Sequence, residues 1–159
     1  MFLIYLGLGS NIGDKEAHII QACCLISEKC KIKKTSHLYL TEPVGDTEQE
    51  WFLNCVVEIE TKLDPGHLLS FLKSIEQTLG RKKTKKNGPR IIDIDILFYE
   101  DMVVETRDLV VPHPLLQERL FVLQPMMDLN PSFVHPILKQ SIRELYKNNP
   151  KDKKVLLHK

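Results

Sequence analysis

The sequence predicts an α+β fold: a ferredoxin-like βαββαβ sandwich with a C-terminal extension of short strands and helices. Up to Phe98 the apolar patterns run strand, helix, strand, strand, helix, strand, which is the order of the split βαβ motif. Each predicted helix follows an aspartate that can cap its first turn. Beyond Phe98 the apolar segments are short and interrupted by prolines. We therefore expect a four-stranded antiparallel sheet with both helices on one face, in a single domain of residues 1–159.

The chain begins with an apolar run, Phe2–Leu8, that is typical of a buried strand. The glycines that follow fit neither a dinucleotide-binding fingerprint nor a Walker phosphate loop, so they favour a tight strand-to-helix turn. Asp14 is the predicted N-cap of a helix from Lys15 to about Glu28. The apolar residues that recur there at helical spacing are Ala17, Ile20, Cys24 and Leu25.

Two further strands are predicted over Lys31–Tyr39 and Trp51–Leu63, on either side of a polar loop that begins with the turn residues Thr41–Gly45. Side chains alternate across a strand, so Phe52 and Asn54 share one face. An aromatic ring beside an amide can grip a planar heterocycle, although the same pair is also an ordinary sheet face.

The second predicted helix has clear start and stop signals. Asp64 and Pro65 supply a cap and a first-turn proline, and Gly80 ends the helix. The basic loop Arg81–Asn87 then leads into the fourth strand. The extension is predicted to contain a short strand over 102–104, an extended segment over 109–114, a helix over 115–127 that Pro125 interrupts, and a short helix over 141–148.

Composition excludes several classes of protein. The net charge is +1, so no overall field favours a nucleic-acid or membrane partner. The first residues lead directly into a strand rather than a signal peptide, and no apolar stretch reaches the roughly 18 residues of a membrane span. We therefore expect a cytoplasmic protein. The four cysteines lack C-x-x-C or metal-finger spacing and lie in apolar patterns, so we interpret them as small hydrophobic residues.

The strongest chemical signal is the segment G-P-R-I-I-D-I-D-I-L, residues 88–97. Asp93 and Asp95 are two residues apart, so a strand projects both carboxylates from one face and isoleucines from the other. Paired carboxylates on a half-buried strand repel each other and are costly to desolvate. A divalent cation removes that cost, and hard oxygen ligands suit Mg²⁺. The alternative is a strand whose polar face is simply hydrated.

The basic loop directly precedes these aspartates, and Arg90 lies just beyond it. Cations and paired carboxylates in one place would both converge on a nucleotide's phosphates, so together they predict a polyphosphate site. A solvated basic turn is the alternative for the loop alone. His113 stands between two prolines that restrict its direction. That restriction suits a phosphate ligand, although a single histidine is more often structural.

A set of motifs extends over nearly the whole chain. In order they are G-L-G-S-N-I-G-D, S-x-L-Y-x-T-E-P-x-G, F-L-N, E-x-x-x-G-R, G-P-R-I-I-D-I-D-I-L, V-P-H-P and R-x-F-V-L. With this order and spacing the chain resembles the hydroxymethyl-dihydropterin pyrophosphokinases of folate biosynthesis. The resemblance implies one pyrophosphokinase domain that transfers pyrophosphate from ATP to the hydroxymethyl group of 6-hydroxymethyl-7,8-dihydropterin. The products would be the pterin diphosphate and AMP, through attack at the β-phosphorus.

The resemblance also implies roles for individual residues. Asp93 and Asp95 would bind two Mg²⁺ ions between ATP and the pterin hydroxyl, and Phe52 and Phe121 would stack on the two faces of the pterin. The other implied pterin contacts are Thr41, Val44, Asn54 and Arg119. The implied contacts to the phosphates and the nucleotide are Lys73, Glu76, Arg81, Lys83, Lys86, Arg90, Ile96 and His113. Of these, Arg81, Arg90 and His113 would be catalytic together with the two aspartates.

The chain departs from the family pattern in the basic loop and at one aromatic position. Lys83 and Lys86 stand where some members have arginine, Asn87 where many have tryptophan, and Phe52 where tyrosine is frequent. Lysine is a point charge rather than a planar fork, so contacts from this loop to phosphate would have a less fixed geometry.

Two other functions deserve comparison. A ferredoxin-like RNA-binding module would need exposed aromatics in the RNP pattern, which this sequence lacks, and paired aspartates would repel a nucleic-acid backbone. A two-metal phosphodiesterase or nuclease normally needs a larger set of His, Asp and Glu ligands. We therefore expect small-molecule partners only, ATP and a reduced pterin, with no nucleic acid and no membrane. A monomer is expected rather than a homo-oligomer.

Overall fold

The computed structural model describes residues 1–45, 47–82 and 88–159. Within these ranges the strands are β1 (Phe2–Ser10), β2 (Lys31–Thr35), β3 (Tyr39–Thr41), β4 (Phe52–Thr61), β5 (Asp93–Tyr99), β6 (Val104–Glu105), β7 (Val110–Val111) and β8 (Val155–Leu157). The α-helices are α1 (Lys15–Ile26), α2 (Pro65–Thr78), α3 (Leu120–Leu129) and α4 (Ile142–Asn148), and a 3₁₀ turn spans Leu116–Glu118. None of the helices in these ranges is long and apolar enough to cross a membrane.

The main sheet is antiparallel, and its path runs β5–β1–β4–β3–β8, with β2 pairing with β4 next to β3. The fold is thus a mixed α/β fold around an antiparallel sheet, as predicted at that level. Among the strands of the described ranges, β6 and β7 pair only with each other. The C-terminal strand β8 was not predicted, and it extends the sheet beyond the expected four strands.

The predicted strand Lys31–Tyr39 is two strands, because Ser36 interrupts its ladder with β4. The Ser36 hydroxyl accepts the backbone N–H of Val56 at 2.9 Å, while the Ser36 backbone N–H donates to the Val56 carbonyl at 2.9 Å. Because the Val56 N–H donates to the Ser36 hydroxyl rather than to a backbone carbonyl, the regular pairing with β4 stops here and restarts at Tyr39. The restarted strand β3 runs on to Thr41, which turn chemistry had predicted to lie in the loop.

Both predicted helices lie on one face of the sheet and share its larger core. From α1 the buried residues are Ile19, Ala22 and Ile26, and from α2 they include Leu68, Leu72 and Ile75. The cap predictions are also confirmed, since Asp14 accepts the N–H of Ala17 at 3.1 Å and Asp64 accepts that of His67 at 2.8 Å.

The predicted helix α1 is confirmed, and Leu25 packs against the core as a partly buried residue, but two other apolar residues of the predicted pattern face solvent. Ile20 is 55% exposed and Cys24 is exposed, whereas Ile19 and Ala22 are buried. This helix carries apolar residues on neighbouring stripes, so its own periodicity does not select a face. Packing against the sheet determines which face of α1 is buried.

The opposite face of the sheet is covered by α3 and α4, whose side chains form a second core. Val122, Leu123 and Met126 of α3 pack there with Tyr5 and Leu97. Pro125 lies inside α3 rather than interrupting it. Because proline has no N–H, the carbonyl of Phe121 one turn earlier lacks its helical donor.

Strand β5 carries a bulge just beyond the aspartates. Leu6 pairs with Ile96 and Tyr5 with Phe98, so Leu97 is an extra residue on β5. Ile92, Ile94 and Ile96 face the core under α1 and α2, as predicted. The side chains of Asp93 and Asp95 therefore leave the sheet on its other face.

Candidate active site

Two pockets meet at the aspartate strand. The first, called the aromatic pocket below, has about 460 Å³ of empty space including its open mouth, and is lined by Gly9, Thr41, Glu42, Val44, Phe52, Asn54, Arg90, Asp93, Arg119 and Phe121. The second, called the charged pocket, is lined by Leu69, Lys73, Glu76, Arg81, Asp93, Ile94, Asp95, Ile96, Asp108, Leu109, Val110, His113 and Pro114. Asp93 belongs to both linings, so a ligand in either pocket reaches this carboxylate.

The floor of the aromatic pocket is built by neighbouring strands. Asn54 of β4 donates from Nδ2 to the hydroxyl of Thr41 on β3 at 2.6 Å. On its other side the Asn54 amide lies over Gly9 of β1, where a Cβ atom would come within 2.4 Å of Asn54 Oδ1. Glycine is therefore required at position 9 by this close approach, and the orientation of the amide is fixed by the sheet.

Each aromatic ring of this pocket is covered by an arginine. The guanidinium carbon of Arg90 lies 4.9 Å from the ring centroid of Phe52, and that of Arg119 lies 5.5 Å from the centroid of Phe121. These distances are those of cation–π contacts. Within the described residues, the buried Nε of Arg90 has no hydrogen-bond partner, so this guanidinium retains an unused donor inside the site.

In the charged pocket, Arg81 links two carboxylates. Its Nη1 donates to Glu76 Oε2 and to Asp93 Oδ1, both at 2.7 Å. Arg90 Nη1 lies 3.6 Å from the second oxygen of Asp93. Glu76 Oε2 also accepts the backbone N–H of Ile94 at 2.8 Å. Glu76 therefore fixes both Arg81 and the backbone between the two aspartates.

The carboxylates are crowded in a desolvated place. Burial, and then the neighbouring charge of Asp93, raise the pKa of Asp95 to about 7, although Arg119 acts in the opposite direction. Burial likewise raises the pKa of Glu76 above its ordinary value, against the lowering effects of the Ile94 N–H and of Arg81. Negative charge here is therefore costly unless a cation accompanies it.

The donor set of this site fits a hard divalent cation. The paired carboxylates Asp93 and Asp95 offer oxygen ligands of the kind Mg²⁺ prefers. In the chain as described, no group of three or more His, Cys, Asp or Glu side chains is placed to hold a metal. The remaining ligands would thus have to come from water and from a substrate's oxygen atoms, which is usual for Mg²⁺.

His113 is held with one nitrogen directed towards the site. Burial, and then the charge of Arg119, lower its pKa to about 4, so the ring is neutral near pH 7. Its Nδ1 lies 3.3 Å from the backbone nitrogen of Leu115, and we assign the tautomer in which Nδ1 accepts that N–H and Nε2 carries the ring proton. Arg119 Nη1 lies 3.4 Å from that Nε2. In this assigned tautomer both Nε2 of His113 and Nη1 of Arg119 are donors, so an anion between them could accept from both.

The structure brings the predicted site residues together with few exceptions. All six predicted pterin contacts line the aromatic pocket, and Lys73, Glu76, Arg81, Ile96 and His113 line the charged pocket. Arg90, predicted as a phosphate ligand, lines the aromatic pocket beside Asp93. The predicted contacts Lys83 and Lys86 lie outside the described residues.

One connecting residue, Asn11, was missed by the sequence reasoning. It is 1% exposed, and its Nδ2 donates to Gln49 Oε1 at 2.8 Å and to the Glu50 carbonyl at 3.0 Å. Its Oδ1 accepts the backbone N–H of Arg90 at 2.8 Å. Asn11 therefore ties the loop before β4 to the segment before β5. The signal was an asparagine within the glycine-rich turn, and we interpreted that segment only as a turn.

Glu42 was also missed, although its motif had been noticed. It lines the aromatic pocket between Thr41 and Val44, and its carboxylate accepts the backbone N–H of Lys154 at 2.6 Å. The T-E-P sequence marked the place, but nothing local in the sequence indicates that the partner is more than a hundred residues away.

Comparison with known proteins agrees with this site. The family model of 7,8-dihydro-6-hydroxymethylpterin-pyrophosphokinase (HPPK) matches residues 5–131. A 2-amino-4-hydroxy-6-hydroxymethyldihydropteridine pyrophosphokinase of Aquifex aeolicus is 42% identical over 94% of this chain and 93% of its own length. A Bacillus subtilis protein of the same name is 44% identical, over 80% of this chain and 77% of its own.

Other relatives are longer. The folic acid synthesis protein of Dictyostelium discoideum is 43% identical over 93% of this chain, which spans only 22% of that protein. A crystal structure of Plasmodium falciparum HPPK-DHPS with pteroate superposes with a TM-score of 0.74 over 92% of this chain and 43% of that chain. At 19% identity it supports the fold alone.

The match to the family model covers most of the chain, and relatives of similar length are more than 40% identical over the residues that align with it. Enzymes of this family use ATP as co-substrate. The chain therefore belongs to the 7,8-dihydro-6-hydroxymethylpterin-pyrophosphokinase family, and it is an enzyme of pyrophosphoryl transfer to hydroxymethyl-dihydropterin in folate biosynthesis.

Proposed function

We propose that this chain carries out the transfer where its two pockets meet, with the reduced pterin in the aromatic pocket and the phosphates of ATP in the charged pocket. The observation that supports this most is that Asp93 lines both pockets. A hydroxyl entering from one side and a phosphate chain entering from the other would meet at the same carboxylate. Such positioning accounts for much of the catalysis of phosphoryl-group transfer.

The pterin would be held by stacking and by its polar edge. Phe52 and Phe121 both line the aromatic pocket, and stacked aromatic systems stabilise each other beyond simple area burial. Asn54 uses one of its two amide protons for Thr41, so the second is available for the pterin edge. Backbone groups near Thr41 and Val44 complete the proposed contacts.

The phosphates would be held by groups that now face one another as unsatisfied donors. Nε2 of His113 and Nη1 of Arg119 are 3.4 Å apart, and an anion between them would accept from both. The free Nε of Arg90 is a third such donor. If phosphates attract Arg90 and Arg119, both guanidinium groups move away from Phe52 and Phe121. ATP would thereby uncover the rings that take the pterin.

The proposal includes two Mg²⁺ ions at Asp93 and Asp95, which would neutralise phosphate charge as Lewis acids. Arg81 donates to one oxygen of Asp93 at 2.7 Å. The role of Arg81 is then to neutralise Asp93 until substrates arrive and afterwards to contact phosphate. Glu76 retains Arg81 within reach throughout, because it accepts from the same Nη1 atom.

In the proposed reaction the pterin hydroxyl oxygen forms a bond to the β-phosphorus of ATP. The bond from that phosphorus to the oxygen bridging the α-phosphate breaks, AMP leaves with that oxygen, and the proton of the pterin hydroxyl is released to water. His113 and Arg90 are the candidates to stabilise the charge on the α-phosphate oxygens. A neutral His113 would do so as a hydrogen-bond donor from Nε2, since its pKa of about 4 leaves it uncharged near pH 7.

The test is to identify the nucleotide product of a single turnover with Mg²⁺, ATP and 6-hydroxymethyl-7,8-dihydropterin. We expect AMP and the pterin diphosphate in equal amounts. ADP together with a pterin monophosphate would contradict attack at the β-phosphorus.

The finer structural expectations belong to the same proposal. A ferredoxin-like topology is supported by the strand order β5–β1–β4–β3 and by α1 and α2 sharing one core. Residues 1–159 would act as one pyrophosphokinase domain in the cytoplasm, where ATP is available. A monomer is the simplest state for such an enzyme, because residues of one chain line both pockets.

A further inference from the structure

The C-terminal strand is bonded to the segment that forms one wall of the aromatic pocket. β8 pairs with β3 so that Thr41 lies opposite Val155. The pairing continues past the strand end, where the Glu42 N–H donates to the Lys154 carbonyl at 3.1 Å and the Glu42 carboxylate accepts the Lys154 N–H at 2.6 Å. At the other end the Leu38 N–H donates to the Lys159 carbonyl at 2.8 Å. The tail therefore follows residues 38–42 along their whole length.

This tail contributes little to the hydrophobic core. Leu156 and Leu157 are 51% and 65% exposed, so their burial adds little free energy to folding. The ion pairs of His158 and Lys159 with Glu16 lie at the surface, where such pairs stabilise only weakly. What the tail supplies is mainly backbone hydrogen bonding to β3. That bonding fixes geometry more than it adds stability.

Without the tail, β3 would be held on one side only. Its ladder with β4 spans Tyr39–Thr41, and short edge strands with exposed backbone groups open readily. A third cavity adjoins the aromatic pocket and is lined by both segments. Thr41, Glu42 and Val44 line it from one side, and Lys153, Lys154 and Val155 from the other. The tail thus backs the residues that line the aromatic pocket.

We propose that residues 154–157 are a positioning element for the pterin, acting through Glu42 to hold Thr41 and Val44 in their binding geometry. This inference rests on the proposed pterin site in the aromatic pocket. The charged pocket shares no lining residue with this segment. Loss of the tail should therefore weaken pterin binding selectively and leave the nucleotide site intact.

The first experiment compares two truncated chains. A chain that ends at Lys153 loses the contacts to Thr41 and Glu42, whereas a matched control that ends at Leu157 loses only the bonds to Leu38 and Glu16. We expect the shorter chain to bind 6-hydroxymethyl-7,8-dihydropterin at least about fivefold more weakly, with KM for the pterin raised and kcat largely retained. The Kd of a non-hydrolysable ATP analogue should stay within about twofold in both chains.

A point variant tests the same contact without shortening the chain. Glu42→Ala removes the acceptor for Lys154, while Glu42→Gln keeps a side-chain oxygen there. Glu42→Ala should weaken pterin binding and speed hydrogen exchange at Thr41 and Val44 in the ligand-free protein, and Glu42→Gln should restore most of both. Combining Glu42→Ala with the truncation should add no further effect, since two changes that break one interaction are not additive. If the truncated chain does not fold, the comparison of Glu42→Ala with Glu42→Gln in pterin binding and hydrogen exchange tests the proposal by itself.

Three outcomes would overturn the proposal. One is a folded truncated chain with an unchanged pterin Kd. Another is an equal loss of pterin and nucleotide affinity, which would reduce the tail to a general stabiliser of the sheet edge. The third is additivity of Glu42→Ala with the truncation, which would mean that Glu42 contacts the pterin directly. If the full-length chain binds no pterin at all, the site assignment fails instead, and the two failures are therefore distinguishable.

Discussion

The two pockets that flank Asp93 are held in shape by different interactions. The aromatic pocket takes its floor from adjacent strands, and a hydrogen bond between Asn54 and Thr41 fixes its polar group. The charged pocket is held by ion pairs in which Arg81 neutralises Glu76 and Asp93. One site is thus shaped before a ligand arrives. The other is satisfied by its own side chains and must exchange those partners when it binds phosphate.

The two ligands would therefore differ in how much of their binding free energy is used to rearrange side chains. Once Arg90 and Arg119 have left the rings of Phe52 and Phe121, a pterin entering the aromatic pocket meets groups that the sheet already holds in place, so little further ordering is required. ATP must displace arginines from carboxylates and rings, so part of its intrinsic affinity is used for that rearrangement. Two questions are open to experiment: whether ion pairs are exchanged only in the charged pocket, and whether Asp93 transmits that exchange to the aromatic pocket.

The largest effect is expected from the shared carboxylates. Asp93→Asn and Asp95→Asn should each lower turnover by about a thousandfold or more, because a cation loses a charged ligand during transfer. Circular dichroism should show a retained fold. Asp101→Asn, in an exposed turn after β5, serves as the control and should be nearly neutral. Near-normal turnover in both aspartate variants at limiting Mg²⁺ would remove the metal assignment.

A second effect concerns the order of metal and nucleotide. Because Arg81 and Arg90 already neutralise Asp93, Mg²⁺ alone should bind weakly. With a non-hydrolysable ATP analogue present it should bind at least about a hundredfold more tightly, since phosphate attracts the arginines and adds oxygen ligands. Titration calorimetry with Mn²⁺ or Mg²⁺, with and without the analogue, measures this. Equal metal affinity with and without the analogue would contradict the idea that Arg81 and Arg90 compete with the metal ion for Asp93.

The pH dependence of stability should come from the charged pocket. With the pKa of His113 lowered to about 4, the unfolded chain binds protons more tightly, so this residue's contribution is lost as pH falls from about 6.5 towards 4. Asp95, raised to about 7, acts oppositely, and its effect destabilises the folded state as pH rises from about 4 to 7.

Denaturant unfolding of ligand-free variants separates the two contributions. His113→Gln should lose less stability than wild type on acidification, by about 2 kcal/mol, and Asp95→Asn should lose more. Phe52→Leu, which changes only the aromatic pocket, should follow the wild-type pH curve. Identical curves for wild type and His113→Gln would mean that the histidine is not held neutral.

The smallest effect is expected at the aromatic wall. Phe121→Ala should raise the pterin Kd about tenfold and the ATP Kd much less, since stacking contributes about 0.5–1.5 kcal/mol beyond area burial. Phe121→Leu keeps apolar bulk without the ring and should lie between. Calorimetry that shows the nucleotide more affected than the pterin would contradict the assignment of ligands to pockets.

Features with a strict local period were predictable from the sequence. The alternation of Asp93 and Asp95 with isoleucines requires opposite faces on any strand, and this was confirmed. Asp14 and Asp64 cap their helices as predicted. The proximity in sequence of cations and paired carboxylates also predicts a polyphosphate site, and that site stays a prediction.

Features set by distant contacts were not predictable. The buried face of α1 depends on the sheet beneath it, and its own apolar residues were compatible with either stripe. β8 consists of three residues, Val155–Leu157, too few for a reliable period, and it is a strand only because β3 offers an open edge. Ser36 splits the second predicted strand through a hydroxyl that substitutes for a backbone group, which no propensity describes.

The buried side chain of Asn11 has a consequence for reading related sequences. It must donate two protons to one loop and accept one from the segment before β5, all from a short stem. Among the natural side chains only the carboxamides offer both capacities at a single terminus. Glutamine is one carbon longer, and this space is fully enclosed. Asparagine is therefore the side chain that position 11 requires. In a related chain that keeps the two aspartates but has another residue at position 11, we expect a rearranged turn.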